Sequence, residues 1–259
     1  MIIYKTAEEI ERLRESNLLV SKTLAEIAKY IKPGISTEKI DAIAEEFIRD
    51  HKAVPAFLGY NGYPKTLCTS VNSQVVHGIP SAYILKEGDL LSVDCGVILN
   101  GYIGDTAYSY AVGTVSDEKQ KLMKITKEAL YLGVEQAVVG NRIGDIAWAV
   151  QTHCEAHGYS VVREMVGHGI GNRLHEEPEV PNYGKRGTGT LLQKGLVICI
   201  EPMINLGKRH IVQERDGWTI RTGDNQPSAH FELAVAVDVG KPDILSTFEY
   251  IEEVLKQNN

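Results

Sequence analysis

SVDCGVILNGYIGDTA, residues 92–107, sets two aspartates inside what otherwise reads as a buried β-hairpin. Asn100-Gly101 is the strongest short signal for a two-residue type I′ loop. With that loop Leu99 faces Tyr102, paired positions sum to 201, and Asp105 faces Gly96, two residues from Asp94. Asp94 and Asp105 then become diagonal neighbours on one face of the sheet, roughly 7–8 Å apart at Cα. Gly96 is expected to leave room above it for one or two ions. An ionised carboxylate taken out of water costs several kcal/mol unless something pairs with it, and the hairpin contains no Lys or Arg. Either these aspartates sit at a solvated edge or turn, or their partner is a cation that the sequence does not spell.

Acidic residues elsewhere bear on that choice. Glu201 lies in GLVICIEPMI (195–204) and Glu232 in AHFELAVAV (229–237), each beside continuous apolar sequence. A single glutamate in such a strand reads as an exposed face residue; two are harder to place that way. His168 in VGHGIG has a glycine on each side, which lets a ligand approach closely, although packing is the commoner use of such a histidine. Asp94, Asp105, His168, Glu201 and Glu232 together make a hard, oxygen-rich shell. Such a shell suits two divalent ions about 3.5–4 Å apart, and water between them would lose a proton near neutral pH and act as nucleophile. Four carboxylates balance the charge of two such ions.

The rest of the 259-residue chain sets the frame. A hydrophobic share of 43% and a charged share of 24% are those of a globular protein with a sizeable core. The net charge of −7 and the lack of a basic run exclude nucleic acid or an anionic membrane as the main partner. The N-terminal residues turn charged too early for a secretory signal, and no apolar run is long enough to span a bilayer. Cys68, Cys95, Cys154 and Cys199 are scattered and form no CxxC pair, so a reducing cytoplasm is the simplest setting.

Helices are expected over Thr6–Ile31, Thr37–His51, 117–138 and 144–157, the first opened by a Thr6/Glu9 capping box. Strands are expected at 67–71, 89–95, 103–112, 160–166, 196–203, 210–215, 218–222 and 230–238, with Asp216-Gly217 as a tight hairpin. The order of helix, helix, strands occurs twice. IDAIA (40–44) resembles IGDIA (143–147), and Pro33-Gly34 has a counterpart 106 positions later. One α+β catalytic domain over 1–259 is expected, with halves of about 1–113 and 114–259.

TSVNSQVVHGIP (69–80), SVDCGVILNGYIGDTAYSY (92–110), GHGIGNRLHEEPEVPNYG (167–184), ICIEPMI (198–204), DGWTI (216–220) and SAHFELAVAV (228–237) follow one another in a familiar order and spacing. In them the chain resembles methionine aminopeptidase type I, in its minimal bacterial form. The resemblance implies the pita-bread fold, with pseudo-two-fold related halves and a curved antiparallel sheet covered by helices. It also implies removal of the initiator methionine from nascent polypeptides with a small second residue, through attack by a metal-bridging water or hydroxide. Asp94, Asp105, His168, Glu201 and Glu232 match the family's metal ligands, with Asp105 and Glu232 bridging. The cofactor is then two divalent ions per chain, with Co, Mn, Fe, Zn or Ni all suited. His77 matches the histidine near the scissile amide nitrogen, His175 the one at the substrate carbonyl, and Glu201 the proton shuttle. Tyr60, Tyr63, Cys68 and Trp218, with Phe57 beside them, match the methionine pocket. Asn72 and Ser228 match a monovalent-cation site of some relatives, and Leu174 stands where many carry an aromatic residue. The expected partners are nascent N-termini and, transiently, the ribosome, for a monomer in the cytoplasm.

Two rivals remain at this level. A metallopeptidase of the same fold acting on X-Pro bonds uses a similar ligand set. A non-catalytic peptide-binding protein of this fold would lose ligands, whereas this chain keeps all five and both histidines.

Overall fold

In the computed structural model, which describes residues 1–257, the hairpin has the expected register. Leu90–Leu99 pairs antiparallel with Tyr102–Ala111, with Leu99 opposite Tyr102 and Gly96 opposite Asp105. Asn100 and Gly101 take φ of 52° and 80°, the left-handed pair that a type I′ loop requires. Leu67–Val71 and Val54–Pro55 line the other edge of Leu90–Leu99, which puts Cys68 directly beside Asp94. This four-stranded sheet is the floor of the first half.

Helix α1 (Ala7–Ala28) lies across the hairpin, opened by the expected capping box: Thr6 Oγ1 accepts from Glu9 N while Thr6 N donates to Glu9. The approach is close, because a Cβ at Gly104 would lie 2.5 Å from the Ser16 carbonyl carbon. Asn17, fully buried on that helix, donates to Leu13 O and accepts from Asp105 N. The helix thereby fixes the backbone of one of the two hairpin aspartates.

Helix α2 (Thr37–Asp50) continues the first half; α3 (Asp117–Val134) and α4 (Ile143–Ala156) open the second. The suspected repeat has a backbone counterpart. Gly34 and Gly140 adopt φ of 98° and 97°. Gly34 N donates to Leu85 O as Gly140 N does to Leu192 O, and Leu85 N and Leu192 N return bonds to Ile35 O and Asn141 O. Both loops lead into the next helix through an antiparallel bridge, Ser36 with Ile84 and Arg142 with Leu191. The main cluster of buried apolar side chains draws from both halves, from Leu19 to Ile251.

The second half differs from expectation in its strands. The run 196–203 breaks at Glu201-Pro202 into Val197–Ile200 and Met203–Asn205, because proline has no N–H to carry the ladder on. The run 230–238 breaks beside it into Ser228–His230 and Leu233–Ala236. The first member of one pair and the second of the other join a five-stranded sheet, whose order is Asp243–Ile244, Leu233–Ala236, Val197–Ile200, Gly167–Gly169, Glu176–Val180. The remaining two form a smaller sheet with Ser160–Val161, all that persists of the strand expected over 160–166. The turn at Asp216-Gly217 is wider than a tight hairpin: Gln213 pairs with Ile220, and the Asp216 carboxylate accepts from Trp218 N and Thr219 N inside the loop. Helix 117–138 ends early at Val134, where Val138 is drawn into a bridge with Asp238. Helix α5 (Glu249–Gln257), not expected from the sequence, packs against α1. Among the described residues no helix is long and apolar enough to cross a membrane.

Candidate metal centre

The two halves meet where their acidic residues do. Asp94 and Asp105 project from the hairpin as diagonal neighbours; Glu201 and Glu232 stand at the two adjacent strand breaks. Glu232 N donates to Ala107 O, the residue paired with Asp94, and so ties a second-half break to the first-half hairpin. His168, in the strand between Glu176–Val180 and Val197–Ile200, adds an imidazole. Its Nε2 lies 3.6 Å from Glu201 Oε1 and 3.9 Å from Asp105 Oδ2. One donor atom from each of Asp105, His168, Glu232 and Cys199 falls within 4.8 Å of the others. All five expected ligands line one cavity of about 370 Å³.

The electrostatics of this wall are unfavourable in the protein alone. Among the described residues no lysine or arginine pairs with any of the four carboxylates; only His168 and His230 come near them. Asp94 Oδ1, Asp105 Oδ1 and Glu232 Oε1 are buried with no hydrogen-bond partner among the described residues. Burial, and then repulsion from neighbouring carboxylates, pushes Asp105, Glu201 and Glu232 well above the ordinary carboxyl range; burial raises Asp94 less steeply. Burial also lowers His168 to about 3, with the nearby His175 adding to it. His168 Nδ1 lies 3.0 Å from Gly169 O, an acceptor only, so Nδ1 carries the hydrogen and Nε2 presents its lone pair to the acids. Carboxylate oxygens without partners around a neutral imidazole nitrogen are the donors that divalent cations take, and the residues fit such a group.

His77 and His175 border the same cavity. Burial lowers His77 to about 4, with His230 and His175 contributing, so it is neutral at physiological pH. Its backbone is left-handed, φ 60°, an uncommon state for any residue but glycine. His175 Nδ1 hydrogen-bonds the Tyr60 hydroxyl at 2.8 Å, and its ring meets His168 edge-on. Phe57, Tyr60, Tyr63, Cys68 and Trp218 complete the wall, joined by Leu174, Val76, Met165 and Met203. Tyr63 stacks edge-on with Trp218, and its hydroxyl donates to Leu67 O or Gly78 O, so the ring alone faces the cavity.

Two expectations about space fail. The room above Gly96 is filled: a Cβ there would come within 2.6 Å of the Phe57 ring. The glycines flanking His168 serve close strand packing rather than ligand access, since a Cβ at Gly167 or Gly169 would strike Cys199 O or Glu177 O. Asn72 and Ser228 lie away from the cavity. The Asn72 side chain bonds Asp89, Leu90 N and Lys119, Ser228 Oγ donates to Ile204 O or Asn205, and Ser228 N donates to Asn72 O. The sequence reading also missed His230, which is buried beside Glu201; its place two positions before Glu232, across core-facing Phe231, was the available signal.

Comparison with known proteins agrees with this architecture. Residues 11–238 match metallopeptidase family M24. The methionine aminopeptidase of Clostridium acetobutylicum is 48% identical over 96% of this chain and all of its own length. Methionine aminopeptidase 1 of Bacillus subtilis is 47% identical over 95% of this chain and 99% of its own. The crystal structure of the Rickettsia prowazekii methionine aminopeptidase superposes with a TM-score of 0.94 at 40% identity, covering 95% of this chain and all of that one. The prolidase of Pyrococcus furiosus, at 24% identity and a TM-score of 0.75 over 95% of this chain and 66% of its own, shares the fold alone. With the α+β pita-bread architecture and matches of this extent, the chain belongs to metallopeptidase family M24 and, within it, to the bacterial type I methionine aminopeptidases.

Proposed function

We propose that Asp94, Asp105, His168, Glu201 and Glu232 hold two divalent cations, and that the chain uses them to hydrolyse the first peptide bond of polypeptides beginning with methionine and a small residue. The observation that carries this reading is the convergence of four carboxylates and one neutral imidazole on a single cavity, with no basic side chain among the described residues to neutralise them. When bound, the cations would lower the pKa of a water, polarise the scissile carbonyl and hold the free α-amine, which limits cleavage to a chain end.

The protein's own groups do the rest. Glu201, whose burial raises its proton affinity, takes the proton of the attacking water and hands it to the departing amine. His77, held neutral, offers a hydrogen bond at the scissile nitrogen. His175, steadied by the Tyr60 hydroxyl, does so at the carbonyl oxygen as it gains charge. Phe57, Tyr63, Cys68 and Trp218 give the methionine thioether apolar and aromatic contacts. Residues 1–259 act as one catalytic unit, with nascent N-termini as partner and a transient ribosome contact as the setting. A monovalent cation near Asn72 and Ser228 rests on family resemblance, supported by the backbone bond that joins those residues.

The test loads the purified protein separately with Co, Mn, Fe, Zn and Ni and offers Met-Gly-Met and Pro-Pro-type peptides. Methionine release from the first, abolished by chelator and restored by metal, is the expected result. Hydrolysis of neither peptide under any metal overturns the reading; hydrolysis of the second alone transfers it to X-Pro bonds.

A further inference from the structure

His230 plays no part in the reaction above, yet its ring sits against the acidic cluster, with Nε2 3.6 Å from Glu201 Oε2. It is 1% exposed, and its Nε2 has no hydrogen-bond partner among the described residues. Its backbone is held from both sides by one hydroxyl: Ser109 Oγ accepts from His230 N at 3.0 Å and donates to His230 O at 2.8 Å. Ser109 is in turn bonded to Ser92 across the hairpin. The next residue, Phe231, turns into the core against Tyr108 and Phe248. The ring of His230 is therefore aimed at the acids by a rigid frame.

The distances say what it is aimed for. His230 Nε2 lies 3.6 Å from Glu201 Oε2, and His168 Nε2 lies at the same 3.6 Å from the other oxygen, Oε1. That is too long for an N–H···O hydrogen bond. It is close to the separation of two donors sharing one cation, roughly 3–3.5 Å when each donor is about 2.0–2.2 Å from the ion. Glu201 thus stands between two imidazoles: His168, whose Nε2 is also 3.9 Å from Asp105, and His230, whose backbone is clasped by Ser109 opposite Ser92, two residues before Asp94 on the same strand.

We propose that His230 is a sixth metal ligand, supplying an imidazole nitrogen on the Asp94 side of the cluster. The proposal rests on the five-ligand reading above and adds a consequence to it. A nitrogen donor on a side otherwise built from oxygens favours zinc, cobalt or nickel there over manganese.

Histidine-ring ¹⁵N-labelled protein, titrated with Zn²⁺ and followed by ¹H–¹⁵N spectra, counts zinc-bound imidazoles directly. Two are expected in the wild type and one in His230→Gln. In that variant the second equivalent of Zn²⁺ should bind roughly tenfold or more weakly, with Mn²⁺ affinity much less changed. One zinc-bound imidazole in a wild type holding two zincs overturns the role of His230 and leaves the five ligands standing. Failure of the wild type to bind zinc overturns the five-ligand reading itself. Equal losses of Zn²⁺ and Mn²⁺ affinity in the variant also reject the assignment. If His230→Gln does not fold, judged by circular dichroism, the wild-type count decides alone.

Discussion

The two halves deliver their carboxylates to the cavity by opposite means. In the first, an unbroken ladder of ten residue pairs closed by a two-residue loop carries Asp94 and Asp105 as ordinary members of its register. In the second, Glu201 and Glu232 stand where paired strands stop and their continuations join another sheet. The hairpin places its acids through repetition, the breaks through interruption. An interrupted ladder holds its residues by fewer local bonds, and the second half compensates by leaning on the first: Glu232 N reaches Ala107 O, and the His230 backbone is clasped by Ser109.

The largest effects should come from deleting one acid of each kind. Asp105→Asn and Glu232→Gln should both lose metal, measured by elemental analysis, and lose activity by more than the roughly 10²-fold that removal of a supporting partner costs. Wild-type metal content in either variant contradicts the site. Their folds should differ in response. Asp105→Asn keeps its ladder, whereas Glu232→Gln should show faster amide exchange at the strand breaks.

His77→Ala comes next, with kcat lower by roughly 10²–10⁴ and two metals still bound. Unchanged turnover would show that this histidine does not assist the scissile nitrogen.

Metal removal tests the electrostatic side. The Asp105, Glu201 and Glu232 carboxyls are held above their unfolded values, near 4. An acid raised by folding contributes its stability below the unfolded value and loses it as pH climbs through the folded one. The metal-free protein should therefore melt at progressively lower temperature from about pH 5 to 8. Loading should reverse that slope and add about 2.7 kcal/mol at a metal concentration one hundred times Kd. A chelated protein whose Tm does not fall with pH would mean that these acids already have partners.

Smallest of all should be Gly101→Ala. Its φ of 80° costs an alanine about 1–2 kcal/mol, read as lower Tm with unchanged kcat/KM, since the ten-pair ladder keeps the register once the strands are paired.

The first half was readable in the sequence because its information is local. Asn100-Gly101 fixes the register, and the register fixes which aspartate faces what. The second half was read only in part. The acids themselves stood out against apolar neighbours, but the breaks beside them depend on which sheet each strand joins, a choice made by distant residues. Pro202 was the one local sign. Space was misjudged for a related reason: Gly96 looks open along the chain, and Phe57, which fills the gap, lies 39 positions away. His230 escaped because its role depends on Glu201, a neighbour in space but not in sequence.

The left-handed backbone of His77 sets fold and turnover against each other at one residue. A side chain held there costs about 1–3 kcal/mol, and glycine would sit in the same turn with less strain. His77→Gly should accordingly give a protein that survives heat better and works far more slowly. A search for thermally hardened variants of this chain, run without an activity screen, would tend to erase that histidine.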